Sequence, residues 1–390
     1  MIPLFTTNHT FLEIMDTGPV RRAIGNLFPS NWTACIPPEH SRYTMEQIQQ
    51  EDRTEWGAVF PAEDFVSAVN LLLTETIQNH RFLFIPLWRP APDDNTWIPD
   101  ADLDTTEGVW LFTGNPALEQ QAFAHTAEPS SIPPYPSEAV PSNTHRKSRR
   151  PAVIICPGGG YQTHSTYREG IQLAQRMERD GGYKAFILHY RLCPNSYPLP
   201  QMDLALAIMH VRAHAELYDI DPDRVFAVGA SAGGHLCASQ ALYPEALKEL
   251  VLEALMEASP ENGPLASLFQ KVSARPDGLG LLYPVISFLS DYHEGSCINI
   301  TKGDPKLRQM LSVEQHIGPD YPLTYAFANE DDDCVPASNT VRLKDALARA
   351  GIPHLCQIFP TGNHGTGLGY DLSCRKWSEN MLAFFAPFAK

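Results

Sequence analysis

Arg224-Val-Phe-Ala-Val-Gly229-Ala-Ser231-Ala-Gly233-Gly234-His235-Leu236 is the stretch on which the fold turns. Val225 to Val228 is an unbroken apolar run, the pattern of a strand buried on both faces. The helix SAGGHLCASQALY starts at once, with no linker between. A serine therefore stands at a sharp strand-to-helix joint. Glycine lies two residues before it and two after it, where side chains would stop backbones from approaching closely. The amino end of a helix also favours negative charge that develops beside it. A glycine-rich turn carrying a passive serine is the plain alternative, so the rest of the chain decides between the two.

Outward from this joint, strands and helices alternate. PAVIIC (151–156) and KAFILHYRL (184–192) read as buried strands, as do GLGLLYPVI (278–286), PLTYAFAN (322–329) and HLCQIFP (354–360). Between and after them REGIQLAQRMERDGG, PQMDLALAIMHVRAHAELY, VPASNTVRLKDALARAG and KWSENMLAFFAPFAK read as helices. Buried strands alternating with helices predict an α/β fold with a mostly parallel sheet covered on both faces. RFLFIPLW and EGVWLF supply two earlier strands. We expect residues 81–390 to form this main domain. Residues 1–80 carry helical patterns instead, in TMEQIQQE and AEDFVSAVNLLLTETIQNH, and are expected to be a helical extension or subdomain. Residues 114–150 are a proline-rich loop, and 244–276 an insertion whose amphipathic EALKELVLEALMEA is either a lid candidate or an ordinary surface insertion.

Composition bounds the function. The 390 residues hold 45 acidic and 29 basic side chains, a net charge of −16, which repels phosphate backbones and anionic membranes. The basic run HRKSRR (145–150) reads as a solvated loop. No apolar run approaches the ~20 residues that span a bilayer. The start, MIPLFTTNHTFLEIMDTG, lacks the basic and apolar regions of a signal peptide. Eight scattered cysteines contain no C-x-x-C pair and read as buried free thiols, which predicts a cytoplasmic protein. A homo-oligomer stays open, with residues 1–80 either covering the site or joining two copies.

Two further groups complete the chemistry. Cys156-Pro-Gly158-Gly159-Gly160-Tyr161 follows a strand, so glycine amides are exposed at its carboxyl end and fit a developing oxyanion. No Walker-type or complete dinucleotide pattern accompanies them. A serine nucleophile needs a histidine base, and the histidine needs an acid to hold its tautomer. After PLTYAFAN comes Glu330-Asp331-Asp332-Asp333; after HLCQIFP comes Thr361-Gly362-Asn363-His364-Gly365. Both follow late strands and so share a sheet edge with Ser231. A Ca²⁺ site in the acidic run lacks partner carboxylates at ligand spacing.

At this point the chain from about residue 82 to residue 390 resembles the α/β-hydrolase esterases of the acetyl esterase, acetylxylan esterase and bifunctional feruloyl esterase type. PGGGY, REG, HYRL with YPLPQMD, IDPDRVFAVGASAGGHL, LLYPVIS, the D-x-x-V-P stretch ending at Asn339, and GNHG carry the resemblance. It implies the α/β-hydrolase fold, a doubly wound sheet with helices on both faces, behind the N-terminal extension. It implies Ser231 as nucleophile, His364 as base and Asp332, four residues before Pro336, as acid. The oxyanion donors would be the amides of Gly159, Gly160 and Ala232. Pro157 stands where the related H-G-G-G motif has histidine. Tyr161 either lines the substrate pocket or packs, and Asp203 and His235 read as structural.

The implied activity is hydrolysis of short-chain, acetyl-type esters, on a small-molecule or oligosaccharide substrate, with no metal or organic cofactor. The rivals are a serine peptidase of the oligopeptidase type and an inactive relative used as a binding module. The first usually carries a large propeller domain that 80 residues cannot supply. The second is disfavoured by a complete set of triad and oxyanion residues.

Overall fold

Ala152 to Cys156 have no exposed surface, as a strand in the middle of a parallel sheet requires. The computed structural model describes residues 5–16, 42–51, 66, 70, 83–88, 110–113, 149–258, 262–369 and 372–388. Its strands are β1 (Leu83–Pro86), β2 (Trp110–Thr113), β3 (Arg150–Cys156), β4 (Lys184–His189), β5 (Ile220–Ala230), β6 (Gly278–Leu282), β7 (Leu323–Asn329) and β8 (His354–Phe359). They form one sheet in the order β1-β2-β4-β3-β5-β6-β7-β8. From β4 to β8 every pairing is parallel. The first two strands add antiparallel, β2 against β4 and β1 against β2.

β3 has β4 on one side and β5 on the other, so the strand order reverses there. Open sheets of this kind bind ligands beyond the carboxyl ends of the strands at such a reversal. Cys156 pairs with Gly229, which sets the loop after β3 beside the turn after β5.

Successive residues of a strand face opposite sides, and each side has its own core. Ala152, Ile154 and Cys156 of β3 join Val225 and Ala227 of β5 in one apolar cluster. Over them lie the helices Leu199–Ala213, Ser231–Gln240 and Ser338–Ala350. Val153 and Ile155 join Phe226 and Val228 in the other cluster, under the helices Gln172–Gly181 and Trp377–Phe385. This is the doubly wound α/β-hydrolase arrangement expected from the alternating pattern.

Some boundaries moved. β5 begins at Ile220 rather than Arg224. β6 ends at Leu282, because Tyr283 takes a φ of 35° and turns the chain toward the site. KAFILHYRL stops pairing at His189, and the REGIQ segment opens as a π-helix over Thr166–Ile171 before the regular helix.

The insertion after Tyr243 packs on the helix layer. In its helix Pro244–Ala258, Leu247, Val251 and Leu255 recur at four-residue spacing, are fully buried, and belong to the first core cluster. Lys248 Nζ donates to the Gln270 carbonyl at 2.9 Å and Asn262 Nδ2 to that of Leu255 at 2.9 Å. Burial of that apolar stripe anchors helix Pro244–Ala258 to the core.

Near the start of the chain, TMEQIQQE forms a helix at Met45–Glu51, and a second helix covers Phe11–Asp16. Both have reciprocal caps: Thr10 with Glu13, and Thr44 with Gln47. Phe5, Phe11, Ile14, Met45 and Val66 are buried in the second core cluster. Of the predicted helix over AEDFVSAVNLLLTETIQNH only Val66 and Asn70 are described, both helical. Residues 114–148 of the proline-rich stretch lie outside the described residues, as does Cys35. The seven described cysteines are free thiols, but only Cys156, Cys237, Cys297 and Cys374 are buried as expected; Cys193 and Cys356 are half-buried and Cys334 is exposed. Among the described residues no helix is long and apolar enough to cross a membrane.

Candidate active site

Ser231 follows the last residue of β5 directly and opens the next helix with a φ of 52°, a conformation L-residues rarely adopt. The turn exists because the glycines around it have no side chain. A Cβ on Gly229 would stand 2.2 Å from the Gly233 carbonyl oxygen, and one on Gly233 would stand 2.0 Å from that of Cys156. Both obstacles are backbone, so no rotamer change relieves them. The serine is 7% exposed.

His364 meets it. The imidazole Nε2 lies 2.9 Å from Ser231 Oγ, and its Nδ1 lies 2.7 Å from Asp332 Oδ2. The Asp332 side chain is fully buried, whereas that of His364 is 18% exposed. A carboxylate accepts, so Nδ1 carries the proton and Nε2 is free to accept from the serine hydroxyl.

The acidic run divides its work. Asp332 Oδ1 accepts the N–H groups of Cys334 (3.0 Å) and Val335 (2.8 Å), which leaves Oδ2 for the histidine. Asp331 does something else: its two oxygens accept the N–H groups of Asn363 (2.8 Å) and Gly362 (3.1 Å) and anchor the histidine loop. Asp333 is exposed. Asn329 Nδ2 adds a bond to the Asn363 carbonyl at 2.7 Å.

The glycine loop lies against the serine. Gly159 has a φ of 133°, and a Cβ on it would stand 2.2 Å from the Thr163 carbonyl oxygen, so only glycine fits. The loop's carbonyls are occupied from within: Gln162 and Thr163 donate to Gly159 and Ser165 donates to Gly158. Asn299 Nδ2 holds the Gly160 carbonyl at 2.8 Å. The amides of Gly159, Gly160 and Ala232 donate to nothing among the described residues. That of Ala232 is in a first helical turn, which has no intrahelical acceptor to offer. Pro157, in the histidine's place, is fixed through its carbonyl by Tyr190 OH at 2.6 Å.

Tyr161 packs. Its side chain is fully buried and its hydroxyl lies 2.7 Å from His235 Nδ1, so it cannot line a solvent-filled pocket. His235 Nε2 faces the Leu311 carbonyl at 2.9 Å, and burial lowers its pKa to about 4. Asp203, also fully buried, accepts from Arg191 and from Trp88 Nε1 and ties helix Leu199–Ala213 to the segment after β1.

Two residues of this site escaped the sequence reading. Glu169, 4% exposed, accepts the Gly158 N–H at 2.8 Å and the Tyr283 hydroxyl at 2.8 Å. Tyr283 OH in turn accepts the Gly367 N–H at 3.0 Å, and its ring packs edge-on to His364 with centroids 5.0 Å apart. A buried strut thus links the glycine loop to the histidine loop. The REG motif contains Glu169, but nothing local marks its partners. Among the described residues no group of three or more His, Cys, Asp and Glu side chains is placed to hold a metal ion.

Comparison with known proteins agrees with this frame. A family model described as BD-FAE matches residues 140–347. The chain is 30% identical over 236 residues to an endo-1,4-beta-xylanase B of Butyrivibrio fibrisolvens, covering 59% of this chain and 34% of that protein. It is 30% identical over 227 residues to an acetylxylan esterase of Xylanibacter ruminicola, covering 56% of this chain and 41% of the relative. The chain thus spans less than half the length of either relative. A solved structure described as an acetyl ester-xyloside bifunctional hydrolase from Caldicellulosiruptor lactoaceticus superposes with a TM-score of 0.59 at 28% identity, over 78% of this chain and 96% of that one.

Proposed function

From the premise that this chain belongs to the BD-FAE family, we propose that it is a serine carboxylic-ester hydrolase working through Ser231, His364 and Asp332. The observation that carries the reading is the continuous chain of contacts, 2.9 Å from serine to histidine and 2.7 Å from histidine to aspartate. The positive φ of Ser231 holds the hydroxyl at that spot.

The chemistry follows from the proton positions. His364 Nε2 takes the proton of Ser231 Oγ as that oxygen attacks the ester carbonyl carbon. The carbonyl π electrons move onto its oxygen, and the amides of Gly159, Gly160 and Ala232 donate to that oxyanion. The tetrahedral species collapses, the carbon–oxygen bond to the alcohol breaks, and His364 gives its proton to the departing alcohol oxygen. Water then enters, His364 takes a proton from it, and the hydroxide adds to the acyl-enzyme. A second collapse expels Ser231 Oγ, which regains its proton, and releases the carboxylic acid. Asp332 keeps Nδ1–H oriented throughout and stabilises the imidazolium.

The substrate we propose is a short acyl, acetyl-type ester of a carbohydrate alcohol. Its support is the likeness to an acetylxylan esterase and to an acetyl ester-xyloside bifunctional hydrolase. The test compares wild type and Ser231→Ala on p-nitrophenyl esters of increasing acyl length, with acetylated xylo-oligosaccharide alongside. We expect acetate to be cleaved fastest and the variant to lose roughly 10⁴-fold or more in kcat. Equal rates in the two proteins would remove Ser231 from the mechanism.

A further inference from the structure

His293 stands beside the site and the mechanism does not use it. It caps the helix Glu294–Thr301, whose other end of contact is the glycine loop itself: Asn299 on that helix holds the Gly160 carbonyl. The imidazole Nδ1 accepts the Ser296 N–H at 3.1 Å and lies 2.8 Å from Ser296 Oγ. A nitrogen that accepts a backbone N–H carries no proton, so the neutral ring has its proton on Nε2. That nitrogen has no partner among the described residues, and it is not among the buried polar atoms left unpaired; it opens to solvent on a half-buried ring. The ring's Cε1 edge lies 3.5 Å from the position of a Cβ on Gly160. It therefore stands beside Gly160, one of the proposed oxyanion donors. The ring is also close enough to His364 and Asp332 for their charges to act on it. Burial, and the His364 charge after it, lower its pKa, while Asp332 raises it, and the net shift favours the neutral form.

We infer that His293 Nε2–H is a hydrogen-bond donor to an oxygen of the substrate's alcohol portion, and that it biases this site toward hydroxyl-rich, sugar-like alcohols. The inference rests on the esterase reading of Ser231 and deepens it. A sugar ester presents ring and hydroxyl oxygens within a few ångströms of the scissile carbonyl. An aryl ester presents none of these. A donor fixed by its own helix cap meets such an oxygen without first losing rotamer freedom.

The experiment reads a ratio. kcat/KM is measured on acetylated xylo-oligosaccharide and on p-nitrophenyl acetate for wild type, His293→Asn and His293→Phe. Asparagine keeps the helix cap and removes the reaching donor; phenylalanine keeps a ring and removes both. We expect the sugar-to-aryl ratio to fall about three- to tenfold in both variants, the worth of one neutral hydrogen bond, with the change in KM. An unchanged ratio, whether both rates fall together or neither falls, overturns the inference and leaves the esterase reading standing. If wild type cleaves neither ester and Ser231 resists a fluorophosphonate probe, the esterase reading fails and this inference fails with it.

Discussion

Replacing Asp332 by asparagine tests the proton arrangement with little change of shape. The carboxylate makes three contacts: Oδ1 takes the N–H groups of Cys334 and Val335, and Oδ2 takes His364 Nδ1. Asparagine can keep Oδ1 on both backbone amides, which turns its Nδ2 toward the histidine. An amide nitrogen donates, so Nδ1 must give up its proton and accept. The proton moves to Nε2, which then cannot take one from Ser231 Oγ. The same exchange in a Ser-His-Asp site lowers kcat by roughly 10⁴, equivalent to about 5.5 kcal/mol of transition-state free energy. Stability should drop by only about 1–2 kcal/mol, because the two backbone bonds survive. The assay is kcat on p-nitrophenyl acetate, with thermal unfolding on the same samples. Asp331→Asn serves as the comparison. It removes one of two loop-anchoring acceptors and should cost about tenfold or less. A folded Asp332→Asn protein retaining more than about 1% of kcat would refute the argument. So would an Asp331→Asn protein that loses as much.

Two other expectations come from buried groups. Tyr283→Phe keeps the ring against His364 but leaves Glu169 Oε1 and the Gly367 N–H unpaired in the interior. It should lower stability by about 2–4 kcal/mol and kcat by about tenfold; unchanged kcat in the folded variant would show that the strut does not position His364. Acid should weaken the fold early, because burial holds His189 and His235 at pKa values of about 4, against 6.5 unperturbed. As pH falls below 6.5 the unfolded chain binds protons that the folded chain refuses. Stability is therefore lost between pH 6.5 and about 4, by about 1.4 kcal/mol per histidine at pH 5.5. Denaturant unfolding at pH 7.5 and 5.5 measures it, and equal midpoints would contradict the assignment. Burial raises the Asp203, Asp277 and Glu178 carboxyls, and they act in the opposite sense as they take up protons.

What the sequence determined by itself was whatever rests on local pattern. The apolar runs 151–156 and 225–228 could only be strands covered on both faces, and the Gly229–Gly234 turn could only be a joint where backbones touch. These signals are periodicity and steric exclusion, and both survive without knowledge of distant neighbours. The resemblance then selected Asp332 from four consecutive acids; the residue chemistry of the run could not, since all four are carboxylates. Only the tertiary structure separated their tasks, with Asp332 buried under His364 and Asp331 holding the loop that carries it. The same holds for Tyr161, which packs because His235, 74 residues away, receives its hydroxyl. The apolar face of 244–258 was legible as amphipathic, but whether it covered a cleft or a helix depended on where the neighbouring layer stood. Glu169 and Tyr283 are 114 residues apart, and His293 is set against Gly160 from a loop more than a hundred residues downstream. Contacts of that separation leave no local period in the chain. They form because the parallel sheet brings the carboxyl ends of β3, β5, β6, β7 and β8 to one edge, and there the fold decides which side chains meet.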